Sequence, residues 1–181
     1  HVLAKHWILA GRSEQVVAPG DWISFEGHGE TIVITRQPDG SLAAFHNVCQ
    51  HRGPAIVTDL SGCGARRFTC PYHSWVYDTE GALVGNTDRA AFEGIDVDSL
   101  VELPTAEKSG AIFAILTPGL ALDIDAWLGD MASAIQHHRL AALRAPDHQR
   151  GVDDRAPQQF APHIRAVGHH VPAVLWRKAA W

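Results

Sequence analysis

Cysteine is scarce in this sequence, and long apolar runs are absent. The three cysteines, Cys49, Cys63 and Cys70, are too few and odd in number for a disulfide scaffold, so we expect them to serve metal binding or redox chemistry. No stretch of about 18 apolar residues occurs, which predicts that no helix spans a bilayer. The first residues also lack the apolar core and cleavage site of a signal peptide. These absences predict a cytoplasmic protein that does not associate with membranes.

Charged residues are sparse as well, at 19% of the chain against 46% hydrophobic residues. This balance allows a folded core and argues against extensive disorder. The formal net charge of −5 excludes the strongly basic class of proteins that bind nucleic acids. A length of 181 residues fits one domain, or one domain and part of a second. Because the chain begins at His1 and not at methionine, we expect a fragment or a processed product.

Short β-branched and aromatic runs, separated by turn signals, fill residues 1–117, which is typical of strands. The predicted strands are residues 30–35, 42–47, 74–78, 82–84, 100–103 and 111–116. The first two join across Pro38-Asp39-Gly40 and the next two across Thr79-Glu80-Gly81, so we expect two hairpins. Residues 61–64 are expected to form a loop. The pattern predicts a mainly β fold, a small antiparallel sandwich or barrel.

The pattern changes near Asp123. Trp127, Leu128, Met131 and Ile135 recur at helical spacing, which predicts one amphipathic helix over roughly residues 125–143. Residues 1–135 hold 8 Lys/Arg and 17 Asp/Glu, whereas residues 136–181 hold 7 and 3 and six of the twelve histidines. We therefore expect an irregular basic tail over residues 146–181, with a functional role for its histidines as the alternative.

Two short motifs combine cysteine with histidine: Cys49-Gln50-His51 and, after eighteen further residues, Cys70-Pro71-Tyr72-His73. Thiolates are soft ligands suited to iron in a cluster, and imidazoles are neutral donors. Two tight loops meeting tip to tip would place both cysteines on one iron and both histidines on the other. Such mixed ligation gives reduction potentials of roughly −150 to +300 mV, against about −400 mV for all-thiolate plant-type clusters. The motifs therefore predict a [2Fe–2S] cluster held by Cys49, His51, Cys70 and His73.

Other interpretations of these residues stay open at this point. The same four side chains would suit tetrahedral Zn²⁺, or they are two buried cysteines with incidental histidines. Cys63 is either a redox switch or a spare loop cysteine, and His46 either tunes the cluster or simply ends a strand. Arg52 either meets a partner's carboxylates or is solvated.

The two motifs and their flanks resemble the Rieske domain of ring-hydroxylating oxygenase α subunits. The resemblance covers roughly residues 1–130. It rests on residues 47–53 and 68–75, on Trp7, Pro19-Gly20-Asp21, Arg36, Asp39-Gly40 and Gly81-Ala82-Leu83, and on residues 103–107. Ser74 departs from the family, which more often has glycine there. Respiratory Rieske proteins carry an extra cysteine in each loop, and this chain has none at those places.

The resemblance implies a Rieske domain over residues 1–120, a helical lead-in over 121–145 and, over 146–181, no intact catalytic domain. It implies electron transfer from an NAD(P)H-dependent flavin reductase, in some systems through a ferredoxin, to a mononuclear non-haem Fe(II) that activates O₂ in the catabolism of aromatic compounds. Family oligomers are often trimeric. The alternative is a stand-alone Rieske ferredoxin.

The family's mononuclear iron pattern, a Tyr-His with a second histidine five residues later and a distant Asp, is not found after residue 130. His163 is followed by His169 and His170 at other spacings. A change of reading frame near residue 145 would explain this tail. Enzymatic activity of this chain is therefore left open.

Overall fold

The computed structural model describes residues 2–87, 92 and 99–137, in which short antiparallel strands are the main regular elements. The strands are β1 Ile8–Arg12, β2 Trp22–Gly27, β3 Glu30–Arg36, β4 Leu42–His46, β5 Ser61–Gly62, β6 Arg67–Thr69, β7 Val76–Asp78, β8 Leu83–Gly85, β9 Glu102–Leu103, β10 Thr105–Lys108 and β11 Ala111–Ala114. The helices are α1 Ile124–Leu128 and α2 Met131–His137, with 3-10 turns at Leu3–Lys5 and Ser13–Gln15. The expected mainly β fold is confirmed.

A five-stranded sheet in the order β5-β2-β3-β4-β9 forms the largest layer. Its central strand β3 is rich in β-branched residues, and Ile32, Val33 and Ile34 are all buried. The predicted hairpin between β3 and β4 is confirmed, with Arg36 opposite Leu42. Asp39 fixes its turn, because its carboxylate accepts hydrogen bonds from the backbone N–H and the hydroxyl of Ser41.

Two three-stranded sheets complete the described architecture, in the orders β1-β11-β10 and β6-β7-β8. The second predicted hairpin is also confirmed, since β7 pairs with β8. Its turn needs a glycine at position 81, where φ is +84° and an added Cβ would lie 2.5 Å from the ring of Phe45. The small sheet β6-β7-β8 is thereby held against the apolar cluster that contains Phe45.

Arg36 ties the sheets together from a nearly buried position. Its Nε donates to the carbonyl of Val16 at 2.8 Å, and one terminal nitrogen donates to the carbonyl of Gly40. The same guanidinium forms a bidentate pair with Glu107 on β10 at 2.6 and 3.2 Å. Every side of this buried cation therefore has an acceptor.

The structure corrects the loop expected at residues 61–64. Ser61 and Gly62 form the short strand β5, which pairs with Trp22 and Ile23 of β2. Glycine is required at position 62 because an added Cβ would lie 2.4 Å from Nε1 of Trp22. The sequence suggests a loop here because glycine and serine are typical loop residues. The glycine is instead required by the close packing of this edge strand against Trp22.

The single helix predicted over residues 125–143 is also corrected. Asp123 caps α1 by accepting from the N–H groups of Asp125 and Ala126, but the helix ends at Leu128, and its C-cap residue Gly129 has φ of +49°. A second helix, α2, begins at Met131. Residues 138–143 and the expected tail 146–181 lie outside the described residues. Within the part of the chain that is described, no helix is long and apolar enough to cross a membrane.

Candidate metal centre

Two loops from different sheets bring the predicted ligands together. The first loop, residues 47–57, follows β4 of the five-stranded sheet, and the second loop, residues 70–75, connects β6 and β7. The imidazole centroids of His51 and His73 lie 4.7 Å apart. Both Cys49 and Cys70 are buried, with 1% of each exposed. The two imidazoles are therefore neighbours, and both cysteines belong to the same buried cluster.

Each of the two loops is closed by its own pair of backbone hydrogen bonds, and the two pairs are equivalent. In the first, the N–H of Cys49 donates to the carbonyl of Pro54, and the N–H of Gly53 donates to the carbonyl of Cys49. In the second, the N–H of Cys70 donates to the carbonyl of Trp75, and the N–H of Ser74 donates to the carbonyl of Cys70. Each cysteine thus sits at the same place in an equivalent turn.

The fourth residue after each cysteine has left-handed backbone geometry. Gly53 has φ of +81° and Ser74 has φ of +57°. Glycine adopts this region without steric cost, whereas a side chain is disfavoured there. The geometry explains why the family resemblance favours glycine where this chain has Ser74. No hydrogen bond from the Ser74 hydroxyl is found among the described residues.

Asn47 clamps the base of the first loop. Its side-chain oxygen accepts from the N–H groups of Ile56 and Val57, and its amide nitrogen donates to the carbonyl of Val57 at 2.8 Å. Because Asn47 is 3% exposed, these bonds are shielded from water. They hold the two ends of the loop side by side.

Tyr77 on β7 connects the second loop's hairpin to the first loop. Its hydroxyl accepts the backbone N–H of Gln50 at 3.0 Å and lies 3.4 Å from Sγ of Cys49. Tyr77 is fully buried, and burial together with the neighbouring Cys49 raises the pKa of its hydroxyl. The hydroxyl therefore keeps its proton and can donate it in a hydrogen bond to the cysteine sulfur.

The environment of the Cys49 thiol raises its pKa. Burial raises its pKa, the hydrogen bonds from Tyr77 and from the backbone N–H of His51 lower it, and the neighbouring Cys70 raises it again. Burial beside a second thiol therefore disfavours the thiolate form of Cys49. A bound cation would favour both thiolates, so the pair suits metal ligation.

The environment of His51 favours its neutral form, which is the form that binds a metal. Burial lowers the pKa of His51, and the nearby His73 and Arg52 lower it further. Nδ1 of His73 is buried and has no hydrogen-bond partner among the described residues. A buried ring nitrogen without a partner is costly unless a ligand or metal satisfies it. The donor set of two thiols and two imidazoles therefore fits a [2Fe–2S] cluster.

The remaining candidates fall outside this set. Cys63 is exposed, unlike the buried pair. Nδ1 of His46 lies 3.7 Å from the carboxylate of Glu30. Arg52 is exposed at the tip of the first loop. The tail histidines lie outside the described residues, as does any site that they form.

Sequence reasoning missed Tyr77. Its contact with Cys49 crosses between loops 28 residues apart in the chain, and no motif spacing encodes that distance. The only signal in the sequence was weak. Trp75 and Tyr77 are aromatic residues two positions apart directly after the second motif, which in a strand places both on one face; in the structure both are buried.

Residues 6–104 match the family described as Rieske [2Fe–2S] domain. The α subunit of benzene 1,2-dioxygenase from Pseudomonas putida is 36% identical over 139 residues, which are 75% of the chain and 30% of the relative. The carnitine monooxygenase oxygenase subunit from Acinetobacter baumannii is 39% identical over 116 residues, 62% of the chain and 30% of the relative. The chain spans about a third of the length of these curated relatives.

Solved structures show the same likeness. The quaternary ammonium Rieske monooxygenase CntA in complex with L-carnitine matches with a TM-score of 0.68 and 32% identity, over 74% of this chain and 38% of that chain. Naphthalene 1,2-dioxygenase with indole bound in the active site matches with a TM-score of 0.66 and 29% identity, over 72% and 30% of the respective chains.

Proposed function

The chain belongs to the Rieske [2Fe–2S] domain family and is homologous to Rieske oxygenase α subunits, and we propose that it is the electron-transfer domain of such a subunit. One observation supports the proposal: two equivalent turns beside separate sheets each carry a buried cysteine, and the histidine rings of the two motifs are neighbours. The proposed ligands are Cys49 and Cys70 on one iron and His51 and His73 on the other.

The protein's own groups would hold and tune this centre. A bound [2Fe–2S] cluster supplies transfer of one electron at a time. The hydroxyl of Tyr77 and the backbone N–H of His51 are placed to donate hydrogen bonds to the Cys49 sulfur. Such bonds favour the reduced, more negative state of a bound cluster. The buried thiols keep water away from the sulfur side. Unlike the thiols, the histidines are partly exposed, which leaves an edge for electron exchange.

A zinc ion is the alternative for the same four side chains, since two thiolates and two imidazoles also suit tetrahedral Zn²⁺. The metal content of the purified chain distinguishes the two.

We propose that in the complete protein the electrons pass to a mononuclear non-haem iron in a catalytic domain. The donor would be an NAD(P)H-dependent flavin reductase, with a ferredoxin in some systems, and the assembly a trimer in the cytoplasm. The relatives are named for benzene and carnitine, an arene and a quaternary amine. The part of the fold that they share with this chain therefore supports electron delivery and not substrate choice.

The test is metal analysis of the purified chain with EPR after reduction. We expect two iron and two sulfide ions per chain and an EPR signal of mixed nitrogen and sulfur ligation. Cys49→Ser and Cys70→Ser should abolish that signal, while Cys63→Ser is the matched control and should keep it. Stoichiometric zinc in a colourless protein, or loss of the cluster in the Cys63 variant, would refute the assignment.

A further inference from the structure

Trp75 joins the two loops on the histidine side of the site. Its backbone carbonyl accepts the N–H of Cys70, so its main chain belongs to the second loop. Its indole ring, however, stacks on the imidazole of His51 in the first loop, with centroids 4.8 Å apart and ring planes 9° from parallel. Trp75 is 1% exposed, so the stack is fixed within the core.

Two further rings close around His51. Phe92 meets the imidazole edge-on at 5.8 Å and also meets the indole of Trp75 at 5.1 Å. The ring of His73 lies at 4.7 Å with its plane turned by 68°. The ring plane of His51 is therefore set by packing on three sides.

This packing fixes the orientation of the His51 ring, which in most metal sites is fixed by a hydrogen bond. A ligating histidine normally donates its second ring N–H to a carboxylate or carbonyl, which fixes the orientation of the ring. Among the described residues, neither ring nitrogen of His51 has such a partner. Rotation about the Cβ–Cγ bond is otherwise soft, so an unsupported imidazole would sample several orientations.

We propose that Trp75 is a positioning residue that fixes the His51 imidazole in its ligating orientation, with Phe92 as the second wall. The inference rests on the proposed function, in which His51 is an iron ligand. Aromatic pairs of this geometry contribute enough that losing one changes an equilibrium by about two- to tenfold beyond the loss of buried area. Tyr77 fixes the cysteine side of the site, and Trp75 fixes the histidine side.

The experiment compares the full chain with Trp75→Leu, Trp75→Phe and Phe92→Leu. Pulsed EPR of the reduced cluster measures the hyperfine coupling of each ligating nitrogen, and a chelator challenge measures the half-time of cluster loss. In Trp75→Leu, we expect one of the two nitrogen couplings to change and the half-time to shorten about two- to tenfold. Trp75→Phe keeps a stacking ring and should restore the parent coupling in large part.

Phe68→Leu is the matched control. Phe68 is a buried aromatic of the same apolar cluster and packs edge-on against Trp22. It should lower thermal stability and leave both couplings as in the parent. Parent couplings in a folded Trp75→Leu chain would overturn the inference. If that variant does not fold, parent couplings in Phe92→Leu would overturn it, because Phe92 is only partly buried. A parent chain without a cluster would instead refute the proposed function.

Discussion

At the scale of single residues, the hydroxyl of Tyr77 is the side-chain group placed most directly to affect the reduction potential of a bound cluster. It is fully buried, remains protonated and lies 3.4 Å from the sulfur of Cys49. A hydrogen bond to a thiolate ligand stabilises the reduced, more negative state of a cluster more than the oxidised state. This hydrogen bond should therefore raise the reduction potential of the cluster.

We expect Tyr77→Phe to lower the reduction potential by about 60 mV, a tenfold change in a one-electron equilibrium. The substitution removes the hydroxyl and keeps the ring in the core. Tyr72→Phe is the control, since Tyr72 is 60% exposed and makes no hydrogen bond to a cysteine among the described residues. Protein-film voltammetry measures both variants, and equal potentials in Tyr77→Phe and the parent would contradict the assigned role.

Because Gly53 and Ser74 occupy equivalent positions in the two turns, exchanging their residue types should have opposite effects on stability. Both positions have positive φ, which costs a residue with a side chain about 1 kcal/mol. Gly53→Ser should therefore destabilise the chain by about 1 kcal/mol, and Ser74→Gly should leave its stability equal or higher. Ser74→Val should cost more than either, because a β-branched residue fits this region poorly. Urea unfolding of the three variants tests this order, and a destabilising Ser74→Gly would contradict it.

At the scale of elements, the pair between Arg36 on β3 and Glu107 on β10 links two sheets. Its hydrogen bonds, chiefly those from Arg36, hold the pKa of Glu107 below its ordinary value of 4.5. The folded state therefore binds a proton at this carboxylate less readily than the unfolded state does. The stabilisation is complete above the unfolded pKa and is lost as the pH falls through the lower, folded pKa.

Glu107→Gln should accordingly reduce the free energy of unfolding by about 1 kcal/mol at neutral pH and by much less at about pH 3. Denaturant unfolding at the two pH values measures the difference. Glu102→Gln is the control, because Glu102 has no ion pair among the described residues. An effect of Glu107→Gln that does not depend on pH would show that the loss comes from packing and not from charge.

Elements whose stability comes from local turns could be predicted from the sequence. Both hairpins carry their own signals, since Asp39 and Asp78 each accept backbone N–H groups within their turns. The edge strand β5 could not be predicted, because it has two residues and is defined by its packing on Trp22. The helical period indicated helix in this region but not its interruption at Gly129, and two residues of the predicted apolar stripe, Trp127 and Met131, are exposed.

The candidate ligands could be proposed from the sequence because they lie in two short motifs. Two motifs gave the four candidate ligands, because each motif lies within one turn of the chain. The groups that orient them could not be found in this way. Tyr77 and the indole of Trp75 act across loops, and contacts between distant segments leave no fixed offset in a single sequence.

At the scale of the whole molecule, the prediction concerns turnover. We expect the chain to accept electrons and to hydroxylate nothing, because oxygen activation needs a facial set of two histidines and a carboxylate that the sequence after residue 130 does not show. Mixing it with a reductase, NADH, ferrous iron and a panel of aromatic acids, and following product and O₂, checks this. Stoichiometric hydroxylation that disappears in His163→Ala or His169→Ala would overturn the expectation.

The origin of the two loops in different sheets has a consequence for the life of the protein. Once both cysteines bind one inorganic core, that core becomes a cross-link that closes a loop over the 20 residues between Cys49 and Cys70. By analogy with a disulfide, such closure removes chain entropy from the unfolded state and adds about 3 kcal/mol of stability. A chain that loses its iron would lose this tether, so local opening and cutting by proteases would become easier.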